Sequence, residues 1–163
     1  MKTLLLLRHA KSDWAHAGLR DFDRPLNERG MRAAQAMGEY MREQALGQPG
    51  LVLSSPAERA RASAAIVVKA AQIDAELRYD ERIYEATIEQ LAEVVAQLDD
   101  AVDEVLLVGH NPGMAELIEY LTGEAREMPT AALARLRLDV ESWSEVHELC
   151  GQLESLVKPK DIE

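Results

Sequence analysis

Four consecutive leucines, Leu4 to Leu7, stop abruptly at Arg8 and His9 close to the N-terminus. A short apolar run ended by polar residues reads as a strand buried on both faces, the kind found inside α/β sheets. In such sheets the ligand crevice lies beyond the carboxyl ends of the strands, where Arg8 and His9 stand. Two later stretches repeat the arrangement. Leu51-Val52-Leu53 runs into Ser54-Ser55-Pro56, with Arg59 on the first turn of the helix that follows. Glu104-Val105-Leu106-Leu107-Val108 runs into Gly109-His110-Asn111-Pro112-Gly113. If these strands are parallel neighbours, one crevice receives two guanidinium groups, two imidazoles and the N–H ends of helices. Each of these groups favours a phosphoryl group, arginine by bidentate hydrogen bonds and helix termini by dipole and free donors. Taken singly, the same residues also read as solvated strand-end charges and a hydrogen-bonded structural histidine.

Between these strands the pattern alternates. Residues 1–8 form the first strand, and residues 11–29 form a long loop with no sustained period. Asn27 or a neighbour caps the next helix, expected over residues 31–44 from the spacing of Met31, Ala34, Met37 and Met41. Helices are expected over residues 57–71, 88–98 and 114–121, and a marginal strand over residues 77–79. Residues 131–140 alternate as a half-buried strand, with residues 143–149 as its antiparallel partner. The tail over residues 158–163 is charged and expected to fray. The fold class is α/β, a three-layer α/β/α sandwich. Its central sheet is mostly parallel, with an antiparallel C-terminal edge. The 163 residues suit one domain spanning residues 1–163, large enough for a real core.

The formal net charge of −11 argues against non-specific binding to nucleic acid or anionic membrane, which needs basic surface. An acidic protein that takes an anion must concentrate its positive charge in a pocket. Cys150 is the only cysteine, so no internal disulfide is available and a cysteine-rich zinc site is excluded. The N-terminal apolar run is too short for a signal peptide, and no stretch approaches a membrane span, so a cytoplasmic location is expected. Neither GxGxxG nor GxxxxGK followed by Ser or Thr occurs, which argues against Rossmann and P-loop nucleotide sites.

Arg8-His9-Ala10 resembles the RHG signature of the histidine phosphatase superfamily, which includes the phosphoglycerate mutases. Ser12 and Trp14 fit the pattern RHGxSxW. Leu26, Gly30 and Ala34 fit LTxxGxxQA, with Asn27 and Ala33 as departures. Ser55, Arg59 and Ala60 fit SxxxRAxxT, with Ser63 in place of the threonine. Gly109-His110 matches the second-histidine motif. Within the superfamily the RHAKSxW opening, DRPLxxRG, SSPxxRAxxSA, GHNPG and Pro129-Thr130-Ala131-Ala132 resemble the short bacterial phosphohistidine phosphatases of the SixA type. Long mutase-like insertions are missing.

The resemblance implies a phosphoglycerate mutase-like fold and a phosphatase that needs no metal or other cofactor. His9 would be the nucleophile, transiently phosphorylated, and Arg8, Arg59 and His110 would bind the phosphoryl oxygens. Asp80-Glu81-Arg82-Ile83-Tyr84 resembles a mutase stretch, NERxY, that carries the general acid, which points to Glu81 with Glu85 as competitor. Ser12, Asn111 and Thr130 are implied pocket residues. Lys11 and Arg24 lie in the long loop, where they can steer an acidic substrate. The expected partner is a protein carrying phosphohistidine, met by a monomer. The alternatives are a small phosphate ester with Glu81 as acid, or a non-catalytic phosphate-binding module.

Overall fold

The computed structural model describes residues 1–162. Strand β1, Lys2–Arg8, is central to a six-stranded sheet of order β3-β2-β4-β1-β5-β6. Its neighbours are β4, Glu104–Gly109, in parallel, and β5, Leu133–Leu138, in antiparallel register. Strand β2, Leu51–Ser54, joins β4 and then β3, Glu76–Tyr79, both in parallel. The other edge is β6, Gly151–Val157, antiparallel to β5.

Successive side chains of a strand point to opposite faces, so the leucine run serves two cores at once. Leu4 and Leu6, with Val105 and Leu107, pack beneath α3, Ile88–Ala96, and α4, Gly113–Thr122. Leu5 and Leu7, with Leu106 and Val108, pack beneath α1, Glu28–Glu43, and α2, Glu58–Ala70. The result is a sheet between two helical layers. Helix α1 begins earlier than its apolar spacing suggests because Asn27 caps it, its side chain accepting from the Gly30 N–H at 2.7 Å. Helix α3 opens on a reciprocal box between Thr87 and Gln90.

The C-terminal third differs from the sequence-based expectation in two places. Residues 143–149 are not the partner of β5. Ser142 caps a 3-10 turn, Trp143–Glu145, and the indole of Trp143 is fully buried, donating to the Val102 carbonyl at 2.7 Å. The partner is β6, where the register slips opposite Arg135 and Leu136. One extra residue on β6 sets Leu153 and Leu156 out of strict alternation. Of residues 158–163, expected to fray, the described residues 158–162 instead hold a 3-10 turn, Pro159–Asp161, closed by the Lys158 N–H on the Asp161 carboxylate at 2.9 Å. Ile162 packs against the core under α1 and α2. Glu163 lies outside the described residues. Among the described residues, no helix is long and apolar enough to cross a membrane.

Candidate active site

The ends of β1, β2 and β4 converge, as their order in the sheet requires. His9 continues β1 past Arg8, its backbone N–H donating to the Gly109 carbonyl at the end of β4 (3.0 Å). The next N–H, of Ala10, donates to the Ser63 hydroxyl of α2 (2.9 Å), which itself donates to the Arg59 carbonyl (2.7 Å). The strand end carrying His9 is thereby fixed to the helix carrying Arg59. His110 follows β4 directly, and the two imidazole centroids lie 5.0 Å apart. Ser55, just past β2, is hydrogen-bonded through its hydroxyl to His110 Nε2 at 2.7 Å.

His9, Arg59 and His110 line a cavity of about 320 Å³. Arg8, Lys11, Arg24 and Arg59 contribute four cations to its wall, and among the described residues no carboxylate lines it. Ser12, Asn111 and Thr130 supply neutral polar groups. Arg59 is nearly buried at 6% exposure. Five buried side-chain nitrogens lack a hydrogen-bond partner among the described residues; Arg8, Arg24 and Arg59 Nε and His110 Nδ1 are four of them. Buried unmatched donors each cost about 1–3 kcal/mol, and an oxyanion is the ligand that offsets such a cost.

His9 Nδ1 lies 2.7 Å from the Ala10 carbonyl, which can only accept, so Nδ1 carries the hydrogen and Nε2 the lone pair. Burial, chiefly, and the nearby Arg59, Arg8 and Arg24 charges hold His9 down to a pKa of about 4. Burial and then the charges of His9, Arg59 and Arg8 hold His110 at about 3, against an opposing pull from Asp21. Both rings are neutral at pH 7.

Asp21 has no assigned role in the sequence reading, yet it ties the rim together. Arg59 donates to its carbonyl (2.7 Å) and its carboxylate (2.9 Å); Arg24 (2.9 Å) and the Tyr84 hydroxyl (2.7 Å) donate to the same carboxylate. Desolvation acts to raise the Asp21 pKa, but the hydrogen bonds from Tyr84, Arg24 and Arg59 outweigh it and leave it below the usual carboxylate range. The only local signal was an Asp-rich stretch in a long loop. Residues 59 and 84 reach it only through the tertiary fold. Trp14, exposed at the mouth, has the Arg24 guanidinium stacked 3.5 Å from its ring centroid.

The carboxylates proposed as acids separate clearly. Glu81 begins a 3-10 turn, Glu81–Ile83, that buries Ile83 and leaves Glu81 exposed, and it lines neither this cavity nor the one beside it. Glu85, in the left-handed region at φ 54°, lines that neighbouring cavity of about 350 Å³ together with His110 and Asn111.

The sequence matches the histidine phosphatase superfamily (branch 1) over residues 4–93. An uncharacterized protein of Mycobacterium tuberculosis is 33% identical, covering 94% of this chain and 100% of its own. An uncharacterized chloroplastic protein of Arabidopsis thaliana is 32% identical over 97% of this chain and 78% of its own. Among solved structures, a SixA protein of Agrobacterium tumefaciens, named as a candidate phosphohistidine phosphatase, superposes with a TM-score of 0.82. It is 32% identical, covering 97% of this chain and 98% of its own. A SixA structure with tungstate, 19% identical, shares the fold at a TM-score of 0.84, with 99% of each chain covered. His9 and Arg59 lie within the matched stretch, and the chain belongs to branch 1 of the histidine phosphatase superfamily and is a hydrolase of the phosphatase class.

Proposed function

We propose that the protein hydrolyses phosphohistidine on another protein through a phosphorylated His9. The observation that carries this reading is the His9 ring itself. Its Nδ1–H is held by the Ala10 carbonyl and Nε2 is left with a lone pair, in a cavity lined by four cations and, among the described residues, no carboxylate. In the first step Nε2 attacks phosphorus, the substrate's P–N bond breaks, and the departing imidazole nitrogen keeps the bonding pair. In the second, water attacks the phosphorus on His9, the N–P bond breaks, and inorganic phosphate leaves with the water's oxygen. Arg8, Arg59 and His110 hold the equatorial oxygens, where charge accumulates. An imidazole leaving group departs neutral when its other nitrogen is protonated, so the first step needs no strong acid. The 32% identical SixA protein of Agrobacterium tumefaciens supports phosphohistidine as the substrate class.

One observation favours a second reading, hydrolysis of a small phosphate ester. An alkoxide leaving group needs a proton, and Glu85 lines the same cavity as His110. The two readings separate when wild type, His9→Ala, Glu81→Gln and Glu85→Gln are given a phosphohistidine protein and an aryl or alkyl phosphate, with chelator present. The phosphohistidine reading expects turnover of the protein substrate, loss of it in His9→Ala, and little change in either glutamine variant. Efficient ester hydrolysis that falls by orders of magnitude in Glu85→Gln or Glu81→Gln supports the second reading instead. Full activity in His9→Ala overturns the covalent mechanism.

A further inference from the structure

A larger cavity, of about 490 Å³, adjoins the site just described. Lys11 and Thr130 line both, so the two are neighbours. One wall is the first turns of α1, bearing Arg29 and Arg32; the other is the C-terminal turn, bearing Lys158 and Lys160. With Lys11 that makes five cations, and among the described residues no carboxylate lines the cavity. Among the described residues none of the five has a carboxylate within 4.0 Å. The nearby Asp161 is exposed, and its carboxylate accepts the Lys158 backbone N–H. In a chain of net charge −11, five cations around one groove with no carboxylate partner among the described residues are a strong local concentration. Catalysis at His9 has no use for four of them.

We infer that this groove receives an acidic segment of the same protein substrate, so that the substrate is held at its phosphoryl group and again at a run of carboxylates. The inference rests on the proposed phosphatase function and adds the character of its protein substrate. The groove's construction sets its occupant apart from a second phosphate. A phosphate site gathers buried, convergent donors, as Arg8 and Arg59 do. Here Lys11, Arg29, Arg32 and Lys160 are exposed and lie on opposite walls, separated by Ala33, Ala36, Pro129 and Ile162. Dispersed, solvated cations over a small apolar floor suit an extended chain of Asp and Glu with intervening apolar side chains. The positive end of the α1 dipole acts in the same direction.

The test compares wild type with Arg32→Ala/Lys160→Ala and Arg32→Glu/Lys160→Glu, all exposed positions away from the phosphoryl cavity. The substrates are a phosphohistidine peptide flanked by Asp and Glu, the same peptide with Asn and Gln, and an aryl phosphate. Wild type is expected to prefer the acidic peptide by about 10-fold in kcat/KM at low salt, a preference that added salt erodes. The alanine pair should abolish the preference and the glutamate pair reverse it, with turnover of the aryl phosphate unchanged. In parallel, fluorescence anisotropy follows binding of an unphosphorylated, labelled Asp/Glu peptide, with inorganic phosphate and a single-stranded oligonucleotide as competitors. Absence of acidic preference, or equal loss on all substrates, overturns the inference. So does displacement of the peptide by millimolar phosphate or by the oligonucleotide more readily than by unlabelled peptide. Should wild type hydrolyse no phosphohistidine while the acidic peptide still binds and the alanine pair releases it, the proposed function fails and the groove stands.

Discussion

Gly30→Ala tests the link between packing and chemistry most directly. Gly30 is the third residue of α1, and a Cβ built on it would lie 2.1 Å from the Lys11 carbonyl oxygen and 2.9 Å from the Lys11 nitrogen. Ordinary contact begins near 3.4 Å, so the methyl group is about 1.3 Å too close, and what it meets is backbone. Lys11 cannot give way freely, because its carbonyl also accepts the Asn27 N–H at 3.0 Å. Overpacking of this kind costs about 1–3 kcal/mol, whereas exchanging Gly for Ala inside a helix returns at most about 1 kcal/mol. A net loss of about 1–2 kcal/mol corresponds to a Tm lower by roughly 2–8 °C for a chain of this size. Lys11 follows His9 by two residues and lines its cavity, so relief of the clash displaces the nucleophile's own segment. Misplacement by about 1 Å can cost on the order of 100-fold in rate, so single-turnover phosphoryl transfer should slow by about 10–100-fold. Gly38→Ala is the control. Its Cβ would meet Ala70 Cβ at 2.6 Å and the Val67 carbonyl at 3.0 Å, an overlap between α1 and α2 away from the cavity. It should lower the Tm comparably while leaving the rate within about two-fold. Unfolding followed by circular dichroism and transfer measured well below both Tm values decide the matter. A Gly30→Ala protein as stable as wild type, or a Gly38→Ala protein equally slowed, refutes the reasoning.

Two further predictions follow from the charges around the site. The folded pKa values of His9 and His110, about 4 and 3, lie below the unfolded value near 6.5. Between those values the unfolded chain binds more protons. The stability these rings contribute is therefore full above pH 6.5 and is lost as pH falls through that window toward the folded values. Tm should fall on acidification below pH 6.5, and NMR should show His9 still neutral at pH 5.5; a His9 midpoint near 6.5 contradicts this. Arg59→Lys keeps the charge but cannot make the paired hydrogen bonds to Asp21. Steady-state kinetics should show kcat/KM falling by about 100-fold or more, and near-wild-type activity would show that the fork is dispensable.

What could be read from the sequence follows the physics of each element. Strands β1, β2 and β4 are buried on both faces, so their apolar runs are unbroken and their polar ends unmistakable. That is why Arg8, His9, Arg59 and His110 could be named before any coordinates and are found around one cavity. Asn27 announced the start of α1 because a cap is local chemistry. The misread parts are not local. Strand β6 hides because its bulge breaks the alternation, while Trp143 mimics a strand residue although Ser142 curls it into a turn. Asp21 becomes meaningful only once residues 38 and 63 positions away in sequence donate to it. Glu85 reaches the neighbourhood of His110 through a left-handed backbone that no apolar pattern announces.

The charge distribution joins these observations. Eight of the chain's 18 Lys and Arg residues line the phosphoryl cavity and the adjoining groove, and among the described residues no Asp or Glu does. The other 10 Lys and Arg residues are outnumbered almost three to one by the chain's 29 Asp and Glu, so positive charge is concentrated at these two cavities. The same cations that attract a phosphoryl group help keep both imidazoles unprotonated, because a positive neighbour disfavours a second positive charge. Anion capture and a free nucleophilic lone pair are thus not competing demands here. Asp21 keeps the arrangement tolerable when no anion is bound. Outside the cavity wall, its carboxylate holds Arg59 and Arg24 in place and partly offsets their mutual repulsion. A carboxylate placed inside the cavity would oppose the incoming phosphoryl charge; placed at the rim, it orients the cations that receive it.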